Sequence, residues 1–176
     1  MNKAVMLSIR PKWVEKIANG EKTIEVRKTR PKLETPFKCY IYCTIDGIKK
    51  MPKDYIAESV ERGKVIGEFT CDWIQSFDSA YSEWAYAVAP SGSVMPMHET
   101  KALELCQKDG CLSDDDVLSY FGDEDWKAYF WHIADLRIYD TPRELSEFTG
   151  LRNTRFGAAP YDIKRAPQSW CYVEEG

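Results

Sequence analysis

The sequence predicts an α+β fold, a small and mostly antiparallel β-barrel with flanking helices and a helical, acidic insertion. Three observations support this prediction. Five or six short segments rich in β-branched and aromatic residues are separated by turn signals, as in small barrels. One amphipathic helix follows the first of these segments. Residues from about 78 to 128 then change to an acidic composition that contains two helix-like segments.

The first half of the chain reads as strands interrupted by two helices. Pro11 suits the first turn of the early helix, and Gly20 suits its C-terminal end. Gly67 lies inside a long apolar segment, where it indicates a bulge or a close approach of another backbone. In chain order, the predicted elements are strand 4–9, helix 11–19, strands 22–28 and 37–44, a weak helix over 54–63 and a strand over 64–77.

The second half begins with the acidic segment. Ser113 is a typical helix N-cap, and the three aspartates that follow it favour the first turn of a helix. We therefore interpret these acids as structural rather than as metal ligands. The further predicted elements are helix 97–109, a helix from Ser113, strand 131–140, a short turn or helix over 142–148, a loop over 151–167 and a closing strand over 168–174.

Length and composition indicate an ordinary globular protein. The chain has 176 residues, of which 44% are hydrophobic and 30% charged, and this predicts a single domain over 1–176 with an insertion at about 78–128. No apolar run reaches the roughly 20 residues needed to cross a bilayer. The apolar stretch near the N-terminus is too short for a secretory signal. We expect a cytoplasmic protein without a membrane partner.

The cysteines and histidines do not predict a metal or cofactor site. Cysteines in apolar strand-like segments behave as small hydrophobic residues, and a zinc site would require close pairs of ligands. The nearest approach to such a pair is Cys106 and Cys111, five positions apart in a chain that has two histidines. We therefore expect no metal ion and no cofactor. The six cysteines are Cys39, Cys43, Cys71, Cys106, Cys111 and Cys171.

The net charge of −4 hides a strong asymmetry. Residues 1–53 contain 13 Lys and Arg and 5 Asp and Glu, which gives a net charge of +8. Residues 72–125 contain 2 Lys and Arg and 12 Asp and Glu, which gives a net charge of −10. A basic first third suggests an anionic partner such as nucleic acid. A solvated basic face offset by the acidic segment explains the same numbers equally well. The acidity of the whole chain argues against tight, nonspecific binding of duplex DNA.

The segment GEKTIEVR, residues 20–27, places charges in a strand. Alternate strand residues share a face, so Ile24 and Val26 predict the core face, and Glu25 and Arg27 point into solvent or a cleft. Lys22 lies at the start of the strand. One interpretation is a solvated Glu25–Arg27 ion pair, worth about 0–1 kcal/mol. The other is a polar ligand site. In that case, we expect replacement of Lys22 or Arg27 by alanine to cause little loss of folding stability.

Gly20, Lys22, Glu25 and Arg27 form a G-x-K-x-x-E-x-R pattern that resembles the signature of the ASCH domain, a PUA-like family. The preceding segment LSIRPKW and the terminal RAPQSWCYVEE are also similar to prophage-type ASCH proteins of bacteria. The resemblance covers the N-terminal third and the last strand well and is weaker over the acidic insertion. It implies a PUA-like β-barrel whose cleft binds RNA or a modified nucleobase.

The resemblance also implies which residues line that cleft, and it leaves the activity open. One hypothesis is a binding module. The alternative is an amidohydrolase that acts on N4-acetylcytidine or a related nucleoside, with Lys22 and Glu25 as catalytic residues; Glu25 stands where such enzymes carry threonine. A third is an interaction protein that binds a protein partner through residues 78–128. The implied ligand-binding residues are Ser8, Arg10, Lys22, Glu25, Arg27, Gln168 and Ser169.

Overall fold

The computed structural model describes residues 2–45, 62–79, 86–88, 94–96, 98–122 and 126–176. The strands are β1 (Lys3–Ile9), β2 (Ile24–Arg27), β3 (Phe37–Cys43), β4 (Val65–Cys71), β5 (Ile74–Asp78), β6 (Tyr86–Val88), β7 (Val94–Pro96), β8 (Lys127–His132), β9 (Ala134–Arg143), β10 (Thr149–Thr154), β11 (Gly157–Asp162) and β12 (Trp170–Glu174). The helices are α1 (Pro11–Ala18), α2 (Glu99–Glu104) and α3 (Asp114–Phe121), with a π-helical turn over Leu105–Asp109 and a 3-10 turn over Leu145–Glu147.

The chain divides into two compact units, which are described separately. The first unit comprises Met1–Ala18, Phe37–Thr70 and Asp135–Gly176. The second comprises Asn19–Pro36 and Cys71–Ala134. The second unit therefore contains both the G-x-K-x-x-E-x-R segment and the acidic segment.

The first unit is built on a seven-stranded sheet with the strand order β11-β10-β12-β1-β3-β4-β9. Strand β1 lies at its centre, antiparallel to β12 and parallel to β3, and six of its seven residues are buried. Burial on both faces explains the continuous apolar run from Ala4 to Leu7 in β1. The core of this unit is formed by Ala4, Met6, Tyr40, Tyr42, Val65, Phe148, Ile163 and Val173.

The second unit is built on a three-stranded antiparallel sheet with the order β2-β8-β5, and it also contains the β6–β7 hairpin. Val26 lies opposite Phe130 across the β2–β8 pair, and Phe77 lies opposite Ala128 across the β5–β8 pair. Helices α2 and α3 contribute apolar side chains to the same core. Its members are Ile24, Val26, Phe77, Ala102, Leu105, Cys106, Val117, Trp126, Ala128 and Phe130.

The local predictions that rest on capping and periodicity are confirmed. Helix α1 begins at Pro11, and its Val14 and Ile17 are buried. Gly20 adopts a φ of 74°, as expected just after a helix. Ser113 caps α3 through a capping box in which its hydroxyl accepts from the backbone N–H of Asp116.

Three predictions at strand boundaries are wrong. The predicted long strand over 64–77 is two strands, β4 and β5, separated by Asp72 and Trp73. The predicted strand over 131–140 is likewise divided between β8 and β9, which belong to different sheets. The predicted loop over 151–167 contains β11 and most of β10, which pair as a hairpin. The weak helix predicted over 54–63 lies almost entirely outside the described residues.

The β10–β11 hairpin was predicted as a loop because glycine and proline, which it contains, are typical of loops. Gly157 begins β11 with a φ of 110°, where a side chain would be strained, and Thr154 Oγ1 donates to its carbonyl at 2.8 Å. Gly150 lies opposite Tyr161, and the aromatic ring occupies the space that a Cβ on Gly150 would need. Pro160 lies in β11, which is an edge strand of the sheet and therefore accommodates proline.

The α+β class is confirmed, whereas the predicted barrel is not. Within the described ranges, the hydrogen-bonded strands form sheets of seven, three and two strands, and a closed barrel is not observed there. The single domain with an insertion at about 78–128 stays a prediction. In the part of the chain that is described, no helix is long and apolar enough to span a membrane.

Candidate functional site

The three charged residues of the G-x-K-x-x-E-x-R segment form one ionic cluster in the second unit. Glu25 Oε1 lies 2.8 Å from Arg27 Nε, and Glu25 Oε2 lies 3.4 Å from Lys22 Nζ. The exposed fractions of Lys22, Glu25 and Arg27 are 2%, 6% and 7%. We call these three residues the β2 charge cluster. One carboxylate thus lies between two cations, away from bulk water.

Lys22 is held in place by the turn that follows α2. Its Nζ donates to the carbonyl of Gly110 at 2.7 Å, and the backbone N–H of Thr23 donates to Asp109 at 3.0 Å. Gly110 ends the π-helical turn and donates its own N–H to Leu105 at 2.8 Å. A Cβ on Gly110 would lie 2.6 Å from the Cys106 carbonyl oxygen, so glycine is required at this close approach.

Glu25 and Arg27 are positioned by the pairing of β2 with β8. Glu25 lies opposite Trp131, and Arg27 lies opposite Tyr129. All four residues of β2 are buried, so the prediction of a solvated Glu25–Arg27 pair is wrong. The expectation that Lys22 and Arg27 can be replaced with little loss of stability stays a prediction. The burial of the cluster argues against it, because removing one member would leave a buried charge uncompensated.

The other predicted ligand-binding residues belong to the first unit. Ser8 lies in β1, where its hydroxyl donates to the Pro167 carbonyl at 2.6 Å and its N–H donates to Ser169 at 3.0 Å. Ser8 and Ser169 are therefore brought together by the chain that enters β12. Arg10 and Gln168 are exposed. These four residues are predicted from the resemblance, and their binding role stays a prediction.

Burial makes several thiols poor nucleophiles. It raises the pKa of the Cys71 and Cys106 thiols to about 12 each, from an ordinary value of 9.0. Nearby Lys22 pulls the pKa of Cys106 down, but burial outweighs it. Burial also raises the pKa of Cys43 to about 11. Among the described residues, no three His, Cys, Asp or Glu side chains are grouped to hold a metal ion.

One polar cluster escaped the sequence analysis. His132 Nδ1 lies 2.6 Å from Asp72 Oδ1, and the imidazole ring stacks on Trp73 with centroids 4.8 Å apart and an interplanar angle of 9°. Asp72 and Trp73 occupy the connection between β4 and β5, while His132 ends β8. Because sixty positions separate Asp72 from His132, no local pattern in the sequence could indicate this pair.

Comparison with known proteins places this geometry in a family. Residues 7–137 match the model of the ASCH domain. A crystal structure of ASCH from Zymomonas mobilis shares 18% identity and a TM-score of 0.61, with 98% of this chain and 88% of that chain covered.

Two mutants of the Zymomonas mobilis protein have also been crystallised and have similar folds. The first shares 18% identity and a TM-score of 0.56 over 98% of this chain and 89% of that chain. The second shares 17% identity and a TM-score of 0.53 over 99% of this chain and 92% of that chain. At such identities the likeness shows the fold alone. No curated protein matches the chain.

Proposed function

The chain belongs to the ASCH domain family, and on that premise we propose that it binds RNA or a modified nucleobase through the β2 charge cluster. The ASCH family is PUA-like and is linked generally to RNA binding. The observation that carries the proposal is the Glu25 carboxylate. It is buried between two cations, and its Oε2 accepts no hydrogen bond from the described residues.

The chemistry of the cluster suits an unstacked base. RNA-binding proteins commonly recognise bases that are splayed out of a helix, through hydrogen bonds to the base edges. A carboxylate such as that of Glu25 accepts the exocyclic amine of cytosine. The planar guanidinium of Arg27 can donate to a carbonyl or a phosphate in a fork that a lysine cannot copy. The buried cluster thus combines an acceptor, Glu25, with two donors, Lys22 and Arg27.

Two features support a functional rather than a purely structural role. A buried ion pair is weak evidence for stability, because well-packed apolar residues of similar size are often as stable or better. A buried ionisable group with a specific charge partner is therefore a candidate for a functional site. The π-helical turn that ends at Gly110 and holds Lys22 is also a geometry found frequently at such sites.

Binding of fluorescently labelled single-stranded RNA tests the proposal. The probes are short oligomers of U, C, A and G, measured by polarisation beside free cytidine and N4-acetylcytidine in competition. Arg27→Lys keeps the charge and removes the fork, and we expect it to weaken binding about tenfold, since a bidentate contact is worth about 1–3 kcal/mol. Arg30→Lys is the control, because Arg30 is exposed three positions further along the chain.

Two results would contradict the proposal. One is the absence of saturable binding by every RNA and nucleoside in the panel. The other is equal affinity for wild type and Arg27→Lys, with circular dichroism showing that both are folded. Equal weakening by Arg30→Lys would indicate general electrostatic attraction, and would therefore also count against a specific site at β2.

The contact between Lys22 and Glu25 favours a second candidate function, amide hydrolysis of N4-acetylcytidine. In such a reaction, water attacks the acetyl carbonyl carbon while Glu25 Oε2 accepts a proton from that water. The bond between the acetyl carbon and N4 then breaks, and Lys22 donates a proton to the departing amine. The products are acetate and cytidine. The proton that Glu25 accepted then passes to Lys22, whose Nζ lies 3.4 Å from Glu25 Oε2, and both side chains regain their starting states.

Chromatography distinguishes hydrolysis from binding alone. We expect wild type to release cytidine from N4-acetylcytidine, and Glu25→Gln to release none, because a neutral amide cannot act as the base. Glu104→Gln is the control, since Glu104 is an exposed partner of Lys101. If wild type binds the nucleoside without releasing cytidine, the hydrolase candidate is rejected and the binding proposal stands.

A further inference from the structure

A groove of about 400 Å³ lies on the acidic segment of the second unit. Its position differs from that of the β2 charge cluster, and none of the predicted ligand-binding residues lines it. The groove is bordered by α2, by α3 and by the residue that precedes β8. The side chains that line it include Glu99, Leu103, Asp114, Val117, Leu118 and Trp126.

The floor and walls of the groove are apolar. Val117 and Trp126 belong to the core of the unit and are less than one-tenth exposed. Leu118, the next residue on α3, is 55% exposed, although it is a large apolar residue. Gly122 ends α3 with a φ of 92°, and a Cβ there would meet no atom of the described residues within 4 Å.

The rim of the groove is acidic. Glu99 accepts a hydrogen bond from Trp126 Nε1 at 3.2 Å, and Asp114 accepts one from Gln107 Nε2 at 2.5 Å. Both donors are neutral groups, so neither hydrogen bond pairs a rim acid with a cation. The described lining of the groove contains these two acids and no basic residue. The surrounding segment 72–125 carries a net charge of −10, which adds to the same field.

The aromatic side chains of α3 lie beside a lysine of the same chain, Lys28. Lys28 Nζ lies 5.1 Å from the centroid of the Tyr120 ring and 5.9 Å from that of Phe121. Phe121 in turn packs against Trp126 with centroids 4.8 Å apart. Aromatic faces attract ammonium and guanidinium groups. The aromatic residues beside the groove thus favour cationic neighbours, as the acidic rim does.

We propose that this groove docks a basic, amphipathic segment of a partner protein. An apolar side chain of that segment packs against Leu118 and Trp126, and lysines or arginines on either side of it lie against Glu99 and Asp114. Amphipathic helices bind apolar grooves in this way, through anchors spaced three or four residues apart. This docking function is independent of ligand binding at β2.

A labelled synthetic peptide of lysine and leucine, about 14 residues long with the apolar residues at helical spacing, tests the proposal with the full-length protein. Fluorescence polarisation should show saturable binding, and a glutamate–leucine peptide of the same pattern should not bind. We expect Asp114→Lys and Leu118→Lys each to weaken binding at least about tenfold. Asp115→Lys is the matched control, because Asp115 is an exposed acid in the same helical turn and outside the groove.

Three outcomes would overturn the proposal. Equal weakening by Asp114→Lys and Asp115→Lys would show diffuse charge attraction rather than docking. An unchanged affinity in Leu118→Lys would exclude the apolar groove as the site. Sedimentation of the peptide-free protein as a dimer that Leu118→Lys dissociates would show that a second copy of the chain covers the groove. RNA binding should be unaffected by all three variants, which separates this proposal from the function proposed for β2.

Discussion

The Glu25 carboxylate lies 2.8 Å from the Arg27 guanidinium, and both side chains are more than nine-tenths buried. The two residues are two positions apart on β2, so they share a face of the strand. Transfer of each charge out of water is costly, and the mutual attraction of the pair and the second cation, Lys22, offset part of that cost. The cluster is therefore stable only while all its members are present.

Arg27→Ala should consequently destabilise the fold strongly. The substitution removes the closer of the two cations and leaves Glu25 with Lys22 at 3.4 Å. We expect a loss of about 3–5 kcal/mol in the free energy of unfolding, as when one partner of a buried pair is deleted. Urea denaturation followed by circular dichroism measures it. Arg30→Ala, at an exposed position, should stay within about 0.5 kcal/mol of wild type.

A loss below about 1 kcal/mol in Arg27→Ala would contradict this prediction, because that is the value of a solvated pair. Such a result would fit the first of the two interpretations of the sequence, the solvated Glu25–Arg27 pair. It would also weaken the argument that burial of the cluster reflects function.

The sequence predicted which face of β2 belongs to the core but not the environment of its charged residues. Alternation correctly identified the face of Ile24 and Val26 as core, since both belong to the apolar core of the second unit. It could not reveal that the opposite face is buried as well. That property depends on contacts distant in sequence, such as the Glu25–Trp131 register and the Lys22–Gly110 hydrogen bond, which span 106 and 88 positions.

The same difference between local patterns and contacts distant in sequence explains which predictions of the fold were correct. Signals carried by a few neighbouring residues, such as Pro11, Gly20 and the Ser113 capping box, predicted helix ends correctly. The ends of strands were predicted less well, because the division between β4 and β5 at Asp72 and Trp73 is set by the sheet each strand joins. The His132–Asp72 pair and the apolar groove likewise arise only from tertiary structure.

The thiols provide a test of burial in solution. At about pH 8.5, near the ordinary thiol pKa, we expect iodoacetamide to modify the half-exposed Cys111 first. Cys71 and Cys106 should resist, because burial raises the pKa of each to about 12 and blocks access. Mass spectrometry of digested protein measures the labelling, and all six cysteines should react in urea. Rapid labelling of Cys106 without urea would contradict its burial.

The same pKa shifts predict a loss of stability in alkali. The folded-state pKa of Cys71 and Cys106 lies above the ordinary value of 9.0. The stability that each buried neutral thiol contributes is therefore complete below pH 9 and is lost as the pH rises through about 12. Urea midpoints measured between these limits should fall with pH. A Cys71→Ala variant should lose less of its own stability over that range, because one of the titrating groups is absent.

The cap of α3 makes a modest and separable contribution. Ser113→Ala removes the hydroxyl that accepts from Asp116 N–H at 3.1 Å, and we expect a loss of about 1 kcal/mol. Ser119→Ala on the same helix is the control, since the Ser119 hydroxyl only donates to the Asp116 carbonyl at an exposed position. Thermal melting of both variants measures the difference. Equal melting temperatures would show that the capping box does not stabilise this helix in solution.

Addition of a methyl group at Gly67 in β4 should lower the stability of the fold. A Cβ at this position would lie 2.5 Å from the Arg137 carbonyl oxygen and 3.2 Å from the Ile138 Cα, both of which are backbone atoms of the neighbouring β9. Because backbone atoms in a paired sheet cannot move independently, we expect Gly67→Ala to cost about 1–3 kcal/mol. Thr70→Ala is the control, at a half-buried position of the same strand.

The free energies of unfolding of the two β4 variants, measured in urea, give the comparison. If Gly67→Ala is as stable as wild type, β9 can separate from β4 at this point without cost. The close approach of β9 to Gly67 would then not be the reason that the chain has glycine there. If Gly67→Ala alone is destabilised, the loss is due to that approach rather than to a general sensitivity of β4.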